Sequence, residues 1–311
     1  MELLQLLGLE LADFVLRVPT RHFPLRVPRG YVARMRPRDP ADPLLRQVLP
    51  LATEDTLTPG FGKDPVGDLA ALASPGVLHK YHGRALVVTT GACAIHCRYC
   101  FRRHFPYADA QGRGADWTPV LDYLAQDESR EEVILSGGDP LALSDSRLAT
   151  LTRELDQIPH LQRLRIHTRL PIVLPERVDA GLLAWLTTTR LKPVMVLHAN
   201  HAQELDDNVS AALARLSHSG VYLLNQSVLL RGVNDSVTSL RTLSERLFAC
   251  GVLPYYLHLL DRVQGAAHFE VQEAQARSLL QELGGQLPGY LLPRLVREQA
   301  GAAAKRLVNL F

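Results

Sequence analysis

Short apolar segments alternate with longer amphipathic segments over most of the chain. The apolar segments predict β-strands at 85–89, 132–135, 163–167, 193–197, 221–225 and 254–259. The amphipathic segments have apolar residues at helical spacing and predict α-helices at 117–125, 144–157, 179–187, 208–217 and 237–249. This repeated strand–helix order predicts an α/β fold with a full or partial parallel barrel. In such a fold the functional site lies at the carboxyl ends of the strands.

The first 75 residues show a different pattern. Apolar positions between residues 2 and 15 predict a helix, and a stretch rich in proline and arginine follows at 19–43. A proline and glycine cluster at 58–65 marks a turn or loop before the regular units begin. We therefore expect an N-terminal, largely helical extension over residues 1–75, and a barrel core with a C-terminal segment over residues 76–311.

The composition is that of a folded protein and argues against several function classes. Of the 311 residues, 47% are hydrophobic and 21% are charged, which is usual for a globular protein. The formal net charge of +2 gives no reason to expect a nucleic-acid partner. The sequence contains no run of 18 apolar residues, and Met1-Glu2 lacks the positive charge of a signal peptide. We therefore expect a cytoplasmic protein with no membrane partner.

Three cysteines, Cys93, Cys97 and Cys100, fall within eight residues directly after the first predicted core strand. So tight a group is a poor disulfide framework and suits a reducing compartment. Three thiolates on one loop can each bind one iron of a [4Fe-4S] cluster and leave the fourth iron open for chemistry. The spacing therefore predicts an iron–sulfur cluster.

Other interpretations of this loop are open at this point. The thiols could bind zinc with His96 or His104 as the fourth ligand, or they could be unrelated core residues. Neither interpretation explains why the loop follows a strand end. The chain could also be a non-catalytic iron–sulfur or zinc module that docks on translation factors. A structural metal site of that class is usually closed by a fourth protein ligand, and no fourth ligand has a clear spacing here.

The cysteine loop resembles that of the radical S-adenosylmethionine superfamily, whose cysteines have the same spacing. The second core strand ends in Ser136-Gly137-Gly138-Asp139-Pro140, which is similar to the glycine-rich motif of the superfamily. The resemblance implies a partial (β/α)6 barrel with a [4Fe-4S] cluster and S-adenosyl-L-methionine. It places the first four residues of the motif at that cofactor, where glycine lets the backbone approach closely. Alone, the motif would be an ordinary turn.

Further segments resemble the lysine 2,3-aminomutase family within this superfamily. These segments are 99–105, 172–175, 225–235 and 265–269, and the resemblance extends from about residue 79 to residue 305. Segments 78–82 and 100–107 are most similar to the elongation factor P β-lysylation (EpmB) branch. The resemblance implies an isomerase that converts L-α-lysine to β-lysine.

Enzymes of this family also use pyridoxal 5′-phosphate, which a lysine holds covalently. The chain has only four lysines, and the resemblance gives this catalytic role to Lys305. The three alanines before Lys305 replace the flexible residues usual in the family and favour a helix, on which this lysine would simply be solvated. By the same resemblance Tyr81 and Arg84 lie near pyridoxal phosphate, and His198 and Gln226 contact S-adenosyl-L-methionine.

The resemblance also assigns residues to the two ends of the substrate. Arg102 would bind the carboxylate of lysine, because a guanidinium can donate two parallel hydrogen bonds to it, and Arg103 is the competing choice. Asp261 and Glu298 would bind the side-chain ammonium, although the free-lysine mutases have aspartate at the second position. The alternatives are a surface pair of Asp261 with Arg262 and a charge on a helix face at Glu298.

The expected partners are L-lysine, an electron donor for the cluster and a ligase that attaches β-lysine to elongation factor P. The ligase is expected because the chain ends six residues after Lys305, whereas stand-alone mutases continue into a further segment. The alternative is a free-standing aminomutase that makes a β-amino acid metabolite. Two carboxylates at Asp261 and Glu298 argue against an acidic substrate, which they would repel.

Overall fold

The computed structural model describes residues 2–18, 23–110 and 116–309. The α-helices are α1 (Glu2–Leu7), α2 (Arg29–Val32), α3 (Pro43–Arg46), α4 (Tyr107–Ala110), α5 (Thr118–Ala125), α6 (Asp145–Leu155), α7 (Leu170–Val173), α8 (Ala180–Thr188), α9 (Asp207–His218), α10 (Val237–Ala249) and α11 (Glu273–Gly284). The β-strands are β1 (Leu72–Ser74), β2 (Val77–Tyr81), β3 (Arg84–Thr90), β4 (Glu132–Gly137), β5 (Arg163–Thr168), β6 (Lys192–Leu197), β7 (Tyr222–Val228), β8 (Leu253–His258), β9 (Arg294–Arg297) and β10 (Arg306–Leu307).

All ten strands of the described residues belong to one sheet, in the order in which they occur along the chain. Strands β3 to β9 are parallel, and antiparallel strands flank them at both edges. The six predicted strands correspond to β3–β8, and the five predicted helices to α5, α6, α8, α9 and α10. The prediction of an α/β partial barrel is confirmed. The pattern did not reveal β9, which has only four residues.

The sheet curves so that residues near its two edges come into contact. The hydroxyl of Tyr81, at the end of β2, donates a 2.7 Å hydrogen bond to Oε1 of Glu298, which directly follows β9. Because β2 and β9 lie near opposite ends of the strand order, this contact requires the sheet to enclose an interior.

The two faces of the sheet carry different side chains. In β5, Leu164 and Ile166 are buried in the main hydrophobic core between the sheet and the helices. Side chains alternate along a strand, so Arg165 and His167 face the barrel interior. The core under the helices is therefore apolar, whereas the interior is polar.

The N-terminal extension is less helical than predicted. The helix expected over residues 2–15 ends at Leu7, because Gly8 adopts a φ of +63° and the N–H groups of Gly8 and Leu9 donate to the carbonyls of Gln5 and Leu4. Helices α2 and α3 have four residues each, and the prolines around them cannot donate backbone hydrogen bonds. Most of the extension is therefore irregular.

The extension packs against the cysteine loop. Its small hydrophobic core, which includes Leu4, Tyr31 and Leu45, also contains Ile95 of that loop. Position 75 lies in the turn between β1 and β2, and the division of the chain at this position stays a prediction. In the described part of the chain, no helix has the length and apolar character needed to cross a membrane.

Candidate functional site

The three neighbouring cysteines lie in the loop after β3, at the carboxyl end of the parallel strands. Cys93, Cys97 and Cys100 are half-buried and have free thiols. Burial, followed by the charge of nearby thiols, raises the pKa of Cys93, and in the same way raises the pKa of Cys100 to about 11. Cys97 Sγ also accepts a 2.7 Å hydrogen bond from Nη1 of Arg169. The thiols therefore share one small, partly enclosed region.

This donor set suits an iron–sulfur cluster. Among the residues that the structure describes, no three His, Cys, Asp or Glu side chains are grouped closely enough to hold one metal ion. The ligands of a four-iron cluster bind different irons and need not converge on one point. His96 Nδ1 lies 2.8 Å from the Pro24 carbonyl and His104 Nε2 lies 3.1 Å from the Gln264 carbonyl. Both histidines that could supply a fourth zinc ligand are thus hydrogen-bonded to backbone carbonyls.

Two glycines bring the end of β4 against the start of the cysteine loop. Gly137 has a φ of +121°, and a Cβ atom there would lie 2.5 Å from the Thr90 carbonyl oxygen. A Cβ atom at Gly138 would lie 2.4 Å from the Ala92 carbonyl oxygen. The N–H groups of Gly138 and Asp139 donate to the carbonyls of Thr90 and Ala92, at 2.6 and 2.8 Å. The motif therefore fixes the loop by direct backbone contact.

The Asp139 carboxylate is used by the fold. Oδ1 accepts hydrogen bonds from the Thr168 hydroxyl and the Leu141 N–H, and Oδ2 accepts from the N–H groups of Arg169 and Leu170. These bonds tie β4 to the segment after β5. The predicted contact of Asp139 with a cofactor stays a prediction.

Lys305 lies inside the barrel and faces Glu298. Its Nζ donates a 2.8 Å hydrogen bond to Oε2 of Glu298 and lies 5.8 Å from the centre of the Tyr256 ring. Oε1 of the same carboxylate accepts from the Tyr81 hydroxyl and, at 3.4 Å, from Lys80 Nζ. Burial raises the pKa of Glu298, but the neighbouring ammonium and hydroxyl groups outweigh it and leave the pKa below its usual value. Lys305 is thus ion-paired within the fold.

Arg102 is buried at the other side of the same space. Its Nε donates a 2.6 Å hydrogen bond to Asp68 Oδ2, and its Nη1 donates at 3.0 Å to Ser136 Oγ. The second oxygen of Asp68 lies 2.6 Å from Lys80 Nζ. Asp68 therefore bridges Arg102 to Lys80, and so to Glu298 and Lys305.

The structure separates the two candidate arginines. Arg103 donates to Glu54 Oε2 at 2.6 Å and to the carbonyls of Arg98 and Gly265. These partners lie on the side of the loop that faces the extension. Arg102 is therefore the arginine that faces Lys80 and Lys305.

Asp261, in the loop after β8, completes the charged interior. Burial raises the pKa of its carboxyl to about 7. Lys305 and Lys80 oppose this shift, whereas Glu298 and Asp68 add to it. Asp261 is therefore close enough to all four groups to interact with their charges, and its proton equilibrium lies near neutral pH.

The remaining predicted cofactor residues lie around this interior. The Arg84 guanidinium lies 4.8 Å from the centre of the Tyr81 ring, at the start of β3. His198 Nε2 lies 2.8 Å from the hydroxyl of Tyr99, and the backbone of Gln226 hydrogen-bonds the other side of the imidazole. Burial, followed by the charge of Arg169, lowers the pKa of His198 to about 3, so this imidazole is neutral.

Sequence reasoning missed two histidines of the interior, His167 on β5 and His258 on β8. Burial, Lys305 and other nearby groups lower the pKa of both. Within the described residues, neither Nε2 atom has a hydrogen-bond partner, although both are buried. The alternation along each strand could have identified them as facing inward. Asp68 gave no such signal, because it lies in an irregular segment.

The residues present fit the three implied cofactors. The thiols provide soft ligands for iron. Lys305 offers an amine, and Arg84 offers a guanidinium suited to a phosphate. The unpaired atoms of His167 and His258 leave hydrogen-bonding capacity that a polar ligand would use, since buried polar groups are normally paired.

Known proteins resemble the chain over nearly its whole length. It is 48% identical to an L-lysine 2,3-aminomutase of Escherichia coli (strain K12), covering 99% of this chain and 91% of that protein. It is 47% identical to the protein of that name from Haemophilus influenzae, over 98% and 90% of the two chains. A third protein of that name, from Clostridium subterminale, is 34% identical over 88% and 66%.

The chain was also compared with solved structures and with family models. A radical SAM methyltransferase from Sphaerobacter thermophilus is a structural neighbour with a TM-score of 0.49 and 14% identity, over 71% of this chain and 68% of that one. No family model matches the sequence.

Replacing Gly138 with alanine should destabilise the protein. The added Cβ atom would meet the Ala92 carbonyl oxygen at 2.4 Å, and moving two backbone segments apart costs about 1–3 kcal/mol. The free energy of unfolding in urea measures the effect. Gly289→Ala is the control, because no atom lies within 4 Å of the added Cβ there. Equal stability of the two variants would contradict the close approach.

Proposed function

Because the chain belongs to the L-lysine 2,3-aminomutase family of radical S-adenosylmethionine enzymes, we propose that it converts L-lysine to β-lysine for attachment to elongation factor P. Enzymes of this family are isomerases that use a [4Fe-4S] cluster, S-adenosyl-L-methionine and pyridoxal 5′-phosphate. The observation that carries the proposal is the arrangement of Lys305, Glu298, Asp261 and Arg102 around one interior.

Cys93, Cys97 and Cys100 bind the cluster and leave one iron open for S-adenosyl-L-methionine. The glycine-rich turn at Gly137 and Gly138 lies against the same loop, so the cofactor's methionine portion would bind beside it. His198 and Gln226 line this side of the interior. Their neutral hydrogen-bonding groups suit a zwitterionic ligand.

Lys305 holds pyridoxal phosphate. The amine of Lys305 would be the group that holds the cofactor, and Glu298, which accepts a 2.8 Å hydrogen bond from Nζ, orients it. Tyr81 and Arg84 lie beside this pair, and Arg84 suits the phosphate. When bound, the cluster and S-adenosyl-L-methionine supply a radical that removes a hydrogen atom from lysine, and pyridoxal phosphate assists migration of the amino group from C2 to C3.

The chain holds the substrate at both ends. Asp261 and Glu298 bind the side-chain ammonium of lysine, and Arg102 binds its carboxylate. Asp68 positions Arg102 by accepting its Nε–H, and Ser136 Oγ accepts from its Nη1. Two fixed ends keep one carbon of a flexible chain in place for hydrogen removal.

The recipient of the product and the source of electrons complete the proposal. Segments 78–82 and 100–107 resemble the elongation factor P β-lysylation branch, which supports a partner ligase that transfers β-lysine to this factor. Reduction of the cluster requires an electron donor.

Supplying the purified product to a lysyl ligase and elongation factor P should raise the mass of that factor by one β-lysyl group. An unchanged mass would favour release of β-lysine as a metabolite.

An anaerobic assay with L-lysine, dithionite and the three cofactors tests the activity. We expect β-lysine from the parent protein and none above background from Lys305→Ala, because that variant has no amine at position 305 to hold pyridoxal phosphate. Chromatography resolves the two isomers. Lys192→Ala is the matched control, since Lys192 is exposed at the start of β6, and it should retain full activity.

Two results would contradict parts of the proposal. Formation of deoxyadenosine without β-lysine would support the radical chemistry but exclude lysine as the substrate. Equal β-lysine formation by Lys305→Ala would reject the role of this lysine.

The pKa of Asp261 predicts how substrate binding depends on pH. Its carboxyl, with a pKa of about 7, is ionised above pH 7 and then attracts the ammonium of lysine. The KM for lysine should therefore rise as the pH falls through 7. In Asp261→Asn, loss of a charged hydrogen bond worth about 1.5–3 kcal/mol should raise KM roughly 10- to 100-fold. Steady-state kinetics between pH 6 and 8.5, a range chosen to bracket the titration by about one unit or more, should show that this variant lacks the pH-dependent rise. A rise equal to that of the parent would exclude Asp261 as its cause.

A further inference from the structure

A buried carboxylate of the N-terminal extension binds two arginines of the cysteine loop. Glu54 lies in a short 3-10 segment, Ala52–Asp55, and its side chain is fully buried. Oε1 accepts a 2.8 Å hydrogen bond from Arg98 Nε, and Oε2 accepts from Arg98 Nη2 at 2.5 Å and Arg103 Nη2 at 2.6 Å. One carboxylate therefore binds two guanidinium groups of the cysteine loop, and Arg17 Nη1 of the extension lies 3.9 Å from Oε2.

The two arginines lie close to the cysteines in the chain. Arg98 directly follows Cys97, and Arg103 comes three residues after Cys100. The two arginines therefore bracket Cys100, and Glu54 holds the chain on both sides of it. The loop lies between β3 and α4 and has only turns of its own, so its shape depends on contacts with other segments.

Backbone contacts of the extension extend the same support to the rest of the loop. The N–H of His96 donates to the Arg26 carbonyl at 3.0 Å, and the N–H of Arg98 donates to the Gln47 carbonyl at 2.9 Å. Arg26 Nη1 donates to the Cys93 carbonyl at 2.9 Å. Each stretch of the loop between its cysteines is thus bound to residues 26–54.

We propose that Glu54 is a positioning residue for the iron–sulfur cluster, through which the extension holds the cysteine loop in its binding shape. A loop that is already ordered loses less conformational entropy when it binds the cluster, and it releases the cluster more slowly. Without the carboxylate, two guanidinium groups would stay buried beside the loop with no opposing charge, and the loop would move to solvate them. The inference rests on the assignment of the three cysteines as cluster ligands.

The test compares Glu54→Gln with Asp55→Asn after anaerobic reconstitution. Asp55 is the neighbouring acid, but its side chain is 54% exposed and its partner among the described residues is Arg17, at 2.7 Å. Its loss leaves the contacts of Glu54 with Arg98 and Arg103 in place, so the loop should be unchanged. Iron and sulfide per chain, and the rate of iron loss to a chelator, are measured together with thermal unfolding of the cluster-free protein. Supporting contacts around metal ligands typically change affinity by 10- to 100-fold.

We expect Glu54→Gln to lose iron roughly tenfold faster than the parent or more, and to change the electron paramagnetic resonance spectrum of the reduced cluster. Asp55→Asn should match the parent. Equal rates of iron loss for the parent and Glu54→Gln would overturn the proposal. If the parent itself assembles no cluster, the cysteine assignment and the proposed function fail instead.

A second variant covers the case in which Glu54→Gln does not fold. Arg103→Gln removes one of the two loop guanidinium groups that bind Glu54. It leaves Glu54 paired with Arg98, so no buried charge is left unpaired. We expect faster iron loss, with a smaller fall in the unfolding temperature of the cluster-free protein than in Glu54→Gln, because the variant loses only the hydrogen bonds of Arg103. Iron loss at the parent rate in this variant would also overturn the proposal.

Discussion

A buried charge must be matched by an opposite charge, and this requirement organises the interior of the barrel. Three basic groups, Lys80, Arg102 and Lys305, meet three acidic groups, Asp68, Asp261 and Glu298, inside one curved sheet. The segments that contribute them are the extension, β2, the cysteine loop, the loop after β8 and the C-terminal end. An unpaired charge in such a place would destabilise the fold by several kcal/mol. The charge pairs therefore hold together parts of the chain that are far apart in sequence.

The same pairs prepare the interior for its chemistry. Glu298 holds Lys305 and Tyr81 on one side, and Asp68 holds Arg102 on the other. The groups that we propose for the cofactor and for both ends of the substrate are thus oriented by the protein alone, so little reorganisation would be needed when ligands bind. A third carboxylate, Glu54, has the corresponding proposed role at the arginines of the cysteine loop.

Local patterns in the sequence were sufficient for the strands, the larger helices and the tight cysteine group. These features depend on residues close together in the chain, as in β5, where apolar and polar residues alternate. The ion pairs could not be predicted in this way. Asp68 lies in an irregular segment and Glu54 in a 3-10 segment of four residues, and their partners Arg102 and Arg98 are 34 and 44 residues away. The early end of α1 depends on the backbone conformation of a single residue, Gly8.

The central claim is that Lys305 is the lysine that holds pyridoxal phosphate. Lys80 is its rival, because both ammonium groups contact the carboxylate of Glu298. Borohydride reduction of the protein loaded with pyridoxal phosphate makes the link between lysine and cofactor permanent, and mass spectrometry of its peptides then locates it. The account predicts the phosphopyridoxyl group on Lys305. Its presence on Lys80 instead would contradict the account.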